Sequence, residues 1–163
     1  MVARLLAAIA ALLCAIAPAR AQDAAWADVV AKARGQTVHW NAWAGDEKTN
    51  AFIAWVGDEV AKRHGVKVVH VKLKDTAEAV TRVVAEKAAG RDSGGSVDLV
   101  WINGANFLAL RQQKLLFGPY AERLPNWRYV DTAGKRSNLV DFTIPHEGYE
   151  SPWRMAQLVF VYD

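Results

Sequence analysis

The sequence predicts an α/β fold in which a parallel-sheet lobe carries helices on both faces. Two observations support this fold class. Apolar, β-branched segments alternate three times with amphipathic helical segments, and such alternation is typical of parallel sheets joined by right-handed crossovers. Hydrophobic residues make up 52% of the 163 residues, which is enough to bury a core in one domain of ordinary size.

Residues 1–21 are predicted to be a cleaved signal peptide. Arg4 precedes an apolar run, Leu5–Ala17, and Ala19–Ala21 offers a small-x-small cleavage site. The run is short for a transmembrane anchor, so we expect export and a periplasmic location. Cys14 lies within this leader and is the one cysteine of the chain. Residues 22–163 therefore exclude disulfides, thiol nucleophiles and thiolate metal sites.

The first half of the mature chain is predicted to hold two helices and two strands. A helix over about 26–34 precedes a strand over 37–40, and 41–46 is predicted to be a flexible polar loop. The apolar residues of 49–64 recur at helical spacing, and Gly65 follows as a C-terminal stop. Residues 66–73 form the second predicted strand.

The second half begins with a helix from Asp75 to about Gly90, where an acidic N-cap is followed by Glu78 three residues later. Residues 97–102 are the most apolar predicted strand, 103–106 a loop, and 107–117 a fourth, shorter helix with its exit. Beyond Gly118 prolines and aromatics predict irregular structure with short turns. One more strand is predicted at 157–162.

Three predicted loops leave the carboxyl ends of these strands, where parallel sheets bind ligands. The candidate ligand-binding residues are Trp43, Gly45 and Asp46 in the first loop, Asp75 and Thr76 in the second, and Asn103 and Asn106 in the third. An aromatic face, two carboxylates, two amides and unpaired helix N–H groups suit a small polar ligand, including one with a cationic or aromatic part. Three alternatives stay open: Asp75 as an N-cap and Asp46 as a turn residue, Asn103–Gly104 as a turn, and Trp40 and Trp101 as core residues.

No pattern in the sequence indicates catalysis. The four histidines lack metal-ligand spacing, and HExxH, GxSxG, GxGxxG and GxxxxGK[ST] are absent. We therefore predict no catalytic residue, no metal site and no cofactor. The net charge is +3, and removing Arg4 and Arg20 with the leader leaves 18 basic and 17 acidic residues. This balance gives no reason to expect a nucleic-acid partner, and we expect a monomer.

Several segments resemble bacterial ABC-transporter solute-binding proteins of the type II group, which includes binders of iron, thiamine, polyamines and maltose. The resemblance is carried by residues 40–46, 71–76, 97–107, 115–119 and 150–163.

The resemblance implies two α/β lobes that close on a ligand and deliver it to a membrane permease. It implies that 22–163 is the first lobe, truncated at the crossover strand 157–162, with the second lobe missing. Trp153 would form a wall of the cleft, Trp43 would stack on the ligand, and Asp46 or Asp75 would pair with a cationic group. Asn103 and Asn106 would supply hydrogen bonds. The alternatives are a secreted hydrolase-like enzyme on a doubly wound sheet and a non-functional truncated product.

Overall fold

The computed structural model describes residues 25–154. These residues fall into two compact units, one ending at Leu115 and the other beginning at Leu116. The predicted leader and the predicted strand 157–162 lie outside the described residues. Within the described range, every helix is too short or too polar to span a bilayer.

The first unit is built on a three-stranded parallel sheet. Strand β1 (Thr37–Trp43) is central, with β2 (Lys67–Leu73) on one side and β3 (Leu99–Val100) on the other. The register of β1 and β2 runs without interruption from Thr37 opposite Lys67 to Trp43 opposite Leu73. The predicted α/β fold with a parallel sheet is therefore confirmed.

Helices precede or connect the strands. Residues 25–33 form α1, and the three that follow are α2 (Glu47–His64), α3 (Ala77–Ala88) and α4 (Gly104–Gln112). Since β2 and β3 lie on opposite sides of β1, right-handed crossovers place α2 and α3 on opposite faces of the sheet. Gly65 ends α2 as predicted, because its φ of 66° is the left-handed conformation that glycine adopts without strain.

The core of the first unit lies between these helices and the sheet. Its most deeply buried apolar residues include Ala42 on β1, Ile53 on α2, Leu73 on β2, and Phe107 and Leu110 on α4. Apolar side chains from both layers are therefore removed from water together, which is the main favourable contribution to the fold.

Three predicted boundaries were wrong. Residues 41–43 were predicted to be a loop but continue β1. The polar side chain of Asn41 is buried there because it forms hydrogen bonds within the fold. The predicted strand 97–102 is only two residues long, because its pairing with β1 is limited to Leu99 and Val100. Helix α4 begins at Gly104 rather than at Phe107.

The second unit has little regular structure. It contains short 3₁₀ helices at Ala121–Arg123, Pro125–Tyr129 and Arg136–Leu139. A small antiparallel hairpin, β4 (Val140–Asp141) and β5 (Ile144–Pro145), was not predicted. The expectation of irregular structure with short turns after Gly118 is thus confirmed.

The buried side chain of His146 links two backbone segments of the second unit. Its buried ring lies 2.8 Å from the Asn138 carbonyl through Nε2, and its Nδ1 accepts the Gly148 N–H at 2.9 Å. Since Nδ1 accepts an N–H, the ring nitrogen that can donate to the Asn138 carbonyl is Nε2. This histidine has a structural role.

Candidate functional site

The three strands of the first unit end at one edge of the sheet, because all three are parallel. We call the segments that follow them the rim, meaning residues 43–46, 74–76 and 101–106. The ladder between β1 and β2 continues into the rim, where the Ala44 N–H donates to the Leu73 carbonyl at 3.0 Å. Seven of the eight predicted site residues lie on the rim.

Trp43 and Trp101 form the aromatic part of the rim. Their ring centroids are 6.3 Å apart at an interplanar angle of 70°, an edge-to-face arrangement that aromatic rings favour. Trp43 remains 41% exposed. Gly45 makes room for its indole, since a Cβ at this position would lie 2.1 Å from the Trp43 ring. The predicted site residue Gly45 therefore acts through its lack of a side chain.

Asp46 is the N-cap of α2. Its Oδ2 accepts the Thr49 backbone N–H at 3.0 Å and also the Thr49 hydroxyl. A carboxylate in this place satisfies an otherwise unpaired helix N–H and complements the helix dipole. Asp46 was expected to be a ligand-binding or a turn residue, and its role as a helix N-cap was not predicted; the residue is half-buried at the rim.

Asp75 and Glu78 form a capping box at the start of α3. Asp75 Oδ1 accepts the Ala77 N–H at 2.7 Å, and Glu78 Oε1 reaches back to the N–H groups of Lys74 and Asp75, both at 3.1 Å. This is the reciprocal arrangement that the spacing of the two acidic residues predicts. Asp75 is exposed, so its carboxylate also faces solvent at the rim.

Thr76 joins the second loop to the third. Its hydroxyl donates to the Trp101 carbonyl at 3.3 Å. Trp101 thereby contacts both other loops, through its ring to Trp43 and through its carbonyl to Thr76. Trp101 is half-buried, and the expectation of a core role did not anticipate these contacts; its position directly after an apolar strand was the available signal.

Asn103 and Asn106 lie at the start of α4. Asn103 is the N-cap, with extended backbone and an exposed side chain that makes no capping hydrogen bond. Asn106 is half-buried one turn further along. Both amides thus lie on the third loop of the rim, where they were expected.

Asn50 adds an acceptor beside the first loop. Its Nδ2 donates to the Ala44 carbonyl at 3.0 Å, which fixes the orientation of the amide. Its Oδ1 is buried and has no hydrogen-bond partner among residues 25–154. Buried polar atoms normally have a partner, so this oxygen is available to accept a hydrogen bond. Nothing in the sequence pattern singles out Asn50.

Trp153, the eighth predicted residue, belongs to the second unit. It is half-buried, and the Arg154 guanidinium lies 5.5 Å from its ring centroid. This is within the range of a cation–π contact.

The second unit also holds a perturbed carboxyl group. Burial raises the pKa of Glu150 to about 8, and the nearby Asp141 carboxylate adds to this effect. Burial and the Glu150 charge together raise the pKa of Tyr120. Across residues 25–154, histidine, aspartate and glutamate side chains nowhere form a group of three or more that could hold a metal ion.

The fold and the rim define an α/β lobe with a candidate binding edge at the carboxyl ends of its strands. The sequence is similar to Protein YnjB of Escherichia coli (strain K12), with 47% identity over 136 residues. The match covers 83% of this chain and 34% of YnjB, so the chain spans about a third of the length of that relative. No family model matches the sequence, and no solved structure matches it.

These comparisons correct one expectation. The assignment to the type II solute-binding proteins of ABC transporters was wrong, because the similarity found is to Protein YnjB and no family model supports the assignment. Three of the five segments quoted for that resemblance, 40–46, 71–76 and 97–107, contain strand ends and the loops that follow them. Such segments are shaped by the parallel α/β architecture, which many unrelated functions share.

Proposed function

We propose that this chain supplies a binding surface for a small polar solute and serves in solute uptake outside the inner membrane. The observation that carries the proposal is the connected rim, in which Trp101 contacts both Trp43 and Thr76. A partner permease would receive the solute, and the chain would act as a monomer. The proposal concerns the function of the rim and does not depend on membership of any known transporter family.

The chemistry of the rim supports binding of a small ligand. The exposed part of the Trp43 indole offers a flat face for an apolar or cationic group. Amides at Asn103 and Asn106 can both donate and accept hydrogen bonds. Ligand sites commonly combine an aromatic surface with a few placed polar groups in this way.

The carboxylates of the rim favour binding over catalysis. Asp46 and Asp75 both accept backbone N–H groups at helix starts. These two carboxylates are thus anchored at helix starts, from where they can attract a positive charge at the rim. A secreted hydrolase would need a nucleophile and a base at hydrogen-bond distance, and no observation on the rim favours one.

A calorimetric titration with a matched pair of tryptophan variants tests the proposal. The parent chain is titrated with a panel of small polar solutes, including spermidine, arginine and maltose. For a solute that binds, Trp43→Ala should weaken binding at least tenfold. Trp55→Ala, which removes a 56% exposed tryptophan on α2 away from the rim, should leave the affinity unchanged.

Two results would count against the proposal. Equal loss of affinity in Trp43→Ala and Trp55→Ala would show that the rim is not the binding surface. Conversion of a bound solute to product, followed by NMR, would favour the enzyme alternative.

A further inference from the structure

Asn41 is the most unusual residue of the sheet. It occupies the middle of the central strand and is 0% exposed, although asparagine is rarely buried in a strand. Its Oδ1 accepts from Arg82 Nη1 at 3.1 Å, and its Nδ2 lies 3.2 Å from the His39 carbonyl and 3.5 Å from the Ser96 carbonyl. Both the oxygen and the nitrogen of the amide therefore have hydrogen-bond partners, as buried polar groups normally do.

We propose that the buried Asn41 and the half-buried Arg82 form a clamp that positions the rim, with Arg82 as a positioning residue that contacts no solute. Any effect of this clamp on solute affinity rests on the function proposed above, whereas the clamp's effect on the structure of the rim does not.

The contacts around Asn41 form a closed circuit. The Asn41 carbonyl accepts the Trp101 N–H at 2.9 Å, and the Trp101 carbonyl accepts the Thr76 hydroxyl at 3.3 Å. Thr76 stands immediately before α3, and α3 carries Arg82, which returns to Asn41. The circuit thus joins the central strand, the third loop, the second loop and α3.

A second attachment holds α3 in the same position. Glu86, one turn after Arg82, accepts both the N–H and the hydroxyl of Ser96, at 3.2 Å and 2.7 Å. Gly95 permits this approach, since a Cβ there would lie 2.7 Å from Glu86 Oε2. The Gly94–Gly95–Ser96 stretch is therefore a carboxylate-binding turn that carries α3 towards β3.

Arg82 is suited to this role by its shape and charge. Its guanidinium reaches the Asn41 amide, and its charge also helps to lower the pKa of Glu86, after the larger effect of the Ser96 hydrogen bonds. A planar guanidinium offers several donors in fixed directions, which lysine cannot reproduce. Loss of Arg82 would free the Asn41 carbonyl oxygen of the side chain and uncouple α3 from the central strand.

The Trp43–Trp101 pair provides a spectroscopic measure of the rim geometry. Two indole rings 6.3 Å apart at 70° should give an exciton couplet in the far-ultraviolet circular dichroism spectrum, measured as the difference between the parent and Trp101→Phe. Arg82→Gln should remove more than half of the couplet while the helical signal at 222 nm stays unchanged. The matched control is Arg91→Gln, which removes an exposed arginine that also faces Glu86 and should preserve the couplet.

Two further variants keep the test decisive. Thr76→Val breaks the circuit at its other end and should reduce the couplet to a similar extent, which matters if Arg82→Gln does not fold. Arg82→Lys should restore only part of the signal. An undiminished couplet in folded Arg82→Gln would overturn the proposed clamp. If Arg82→Gln does not fold, an undiminished couplet in Thr76→Val would overturn it. Absence of solute binding with the couplet behaving as expected would instead count against the proposed function alone.

Discussion

Stability of the second unit should fall as the pH rises from about 5 to 9, because Glu150 holds its proton more tightly in the folded chain than in the unfolded chain. The pKa of its carboxyl is raised from 4.5 to about 8 by burial and by Asp141. A group with a raised folded-state pKa binds its proton more tightly when folded, so its contribution is fully present below the unfolded pKa. It is lost progressively above 4.5, and the loss is complete once the pH exceeds 8.

The size of the effect follows from these two pKa values. At about 1.4 kcal/mol for each pH unit, the gap sets an upper limit of roughly 5 kcal/mol. Glu150 is only half-buried, so solvent screening reduces this limit, and we expect about 2 kcal/mol.

Amide hydrogen exchange can locate the effect. The N–H groups of Tyr120 and Ala121 donate to the Gly148 carbonyl at 2.8 Å and 3.0 Å, which ties together two distant parts of the second unit. Their opening free energies should decrease between pH 5 and pH 9 in the parent. In Glu150→Gln the same amides should show a much flatter dependence, and comparison at equal pH removes the intrinsic change in exchange rate. Parallel pH profiles in parent and variant would refute the reasoning.

Three other predictions concern the first unit. Phe107→Ala should destabilise the chain by about 3–5 kcal/mol, because the side chain is completely buried; a melting temperature within a few degrees of the parent would contradict this. Gly57→Ala should stabilise α2 by roughly 0.5–1 kcal/mol, since the added methyl would lie 3.6 Å from Val68 Cβ, an ordinary contact; a lower urea midpoint would disprove it. The hydrogen bonds from Ser96 lower the pKa of Glu86, so their contribution is lost as the pH falls below 4.5. Glu86→Gln should therefore narrow the difference in urea midpoint between pH 6 and pH 3.

Features fixed by neighbouring residues could be predicted from the sequence. The end of α2 at Gly65 and the capping box of Asp75 and Glu78 depend on contacts within a few residues, and both were found. The alternation of strands and helices was also sufficient to bring seven candidate residues to one edge of the sheet. That inference uses only the parallel direction of the strands.

Features fixed by distant residues could not be predicted. Asn41 looks like a loop residue until its partner Arg82, 41 positions away, is known. Trp101 looks like a core residue until its contacts with Trp43 and Thr76 are seen. In both cases the deciding interaction joins segments that the fold brings together. Local propensity does not predict such long-range contacts.

The capping role of the rim carboxylates makes their charge separable from their structural contribution. Asparagine serves as an N-cap about as well as aspartate, so Asp46→Asn and Asp75→Asn should each neutralise one rim charge while α2 and α3 keep their first turns. The proposed attraction of the rim for cations can thus be adjusted stepwise in a chain that still folds. Natural substitutions between aspartate and asparagine at these two positions would likewise change the rim charge while the helix starts are kept.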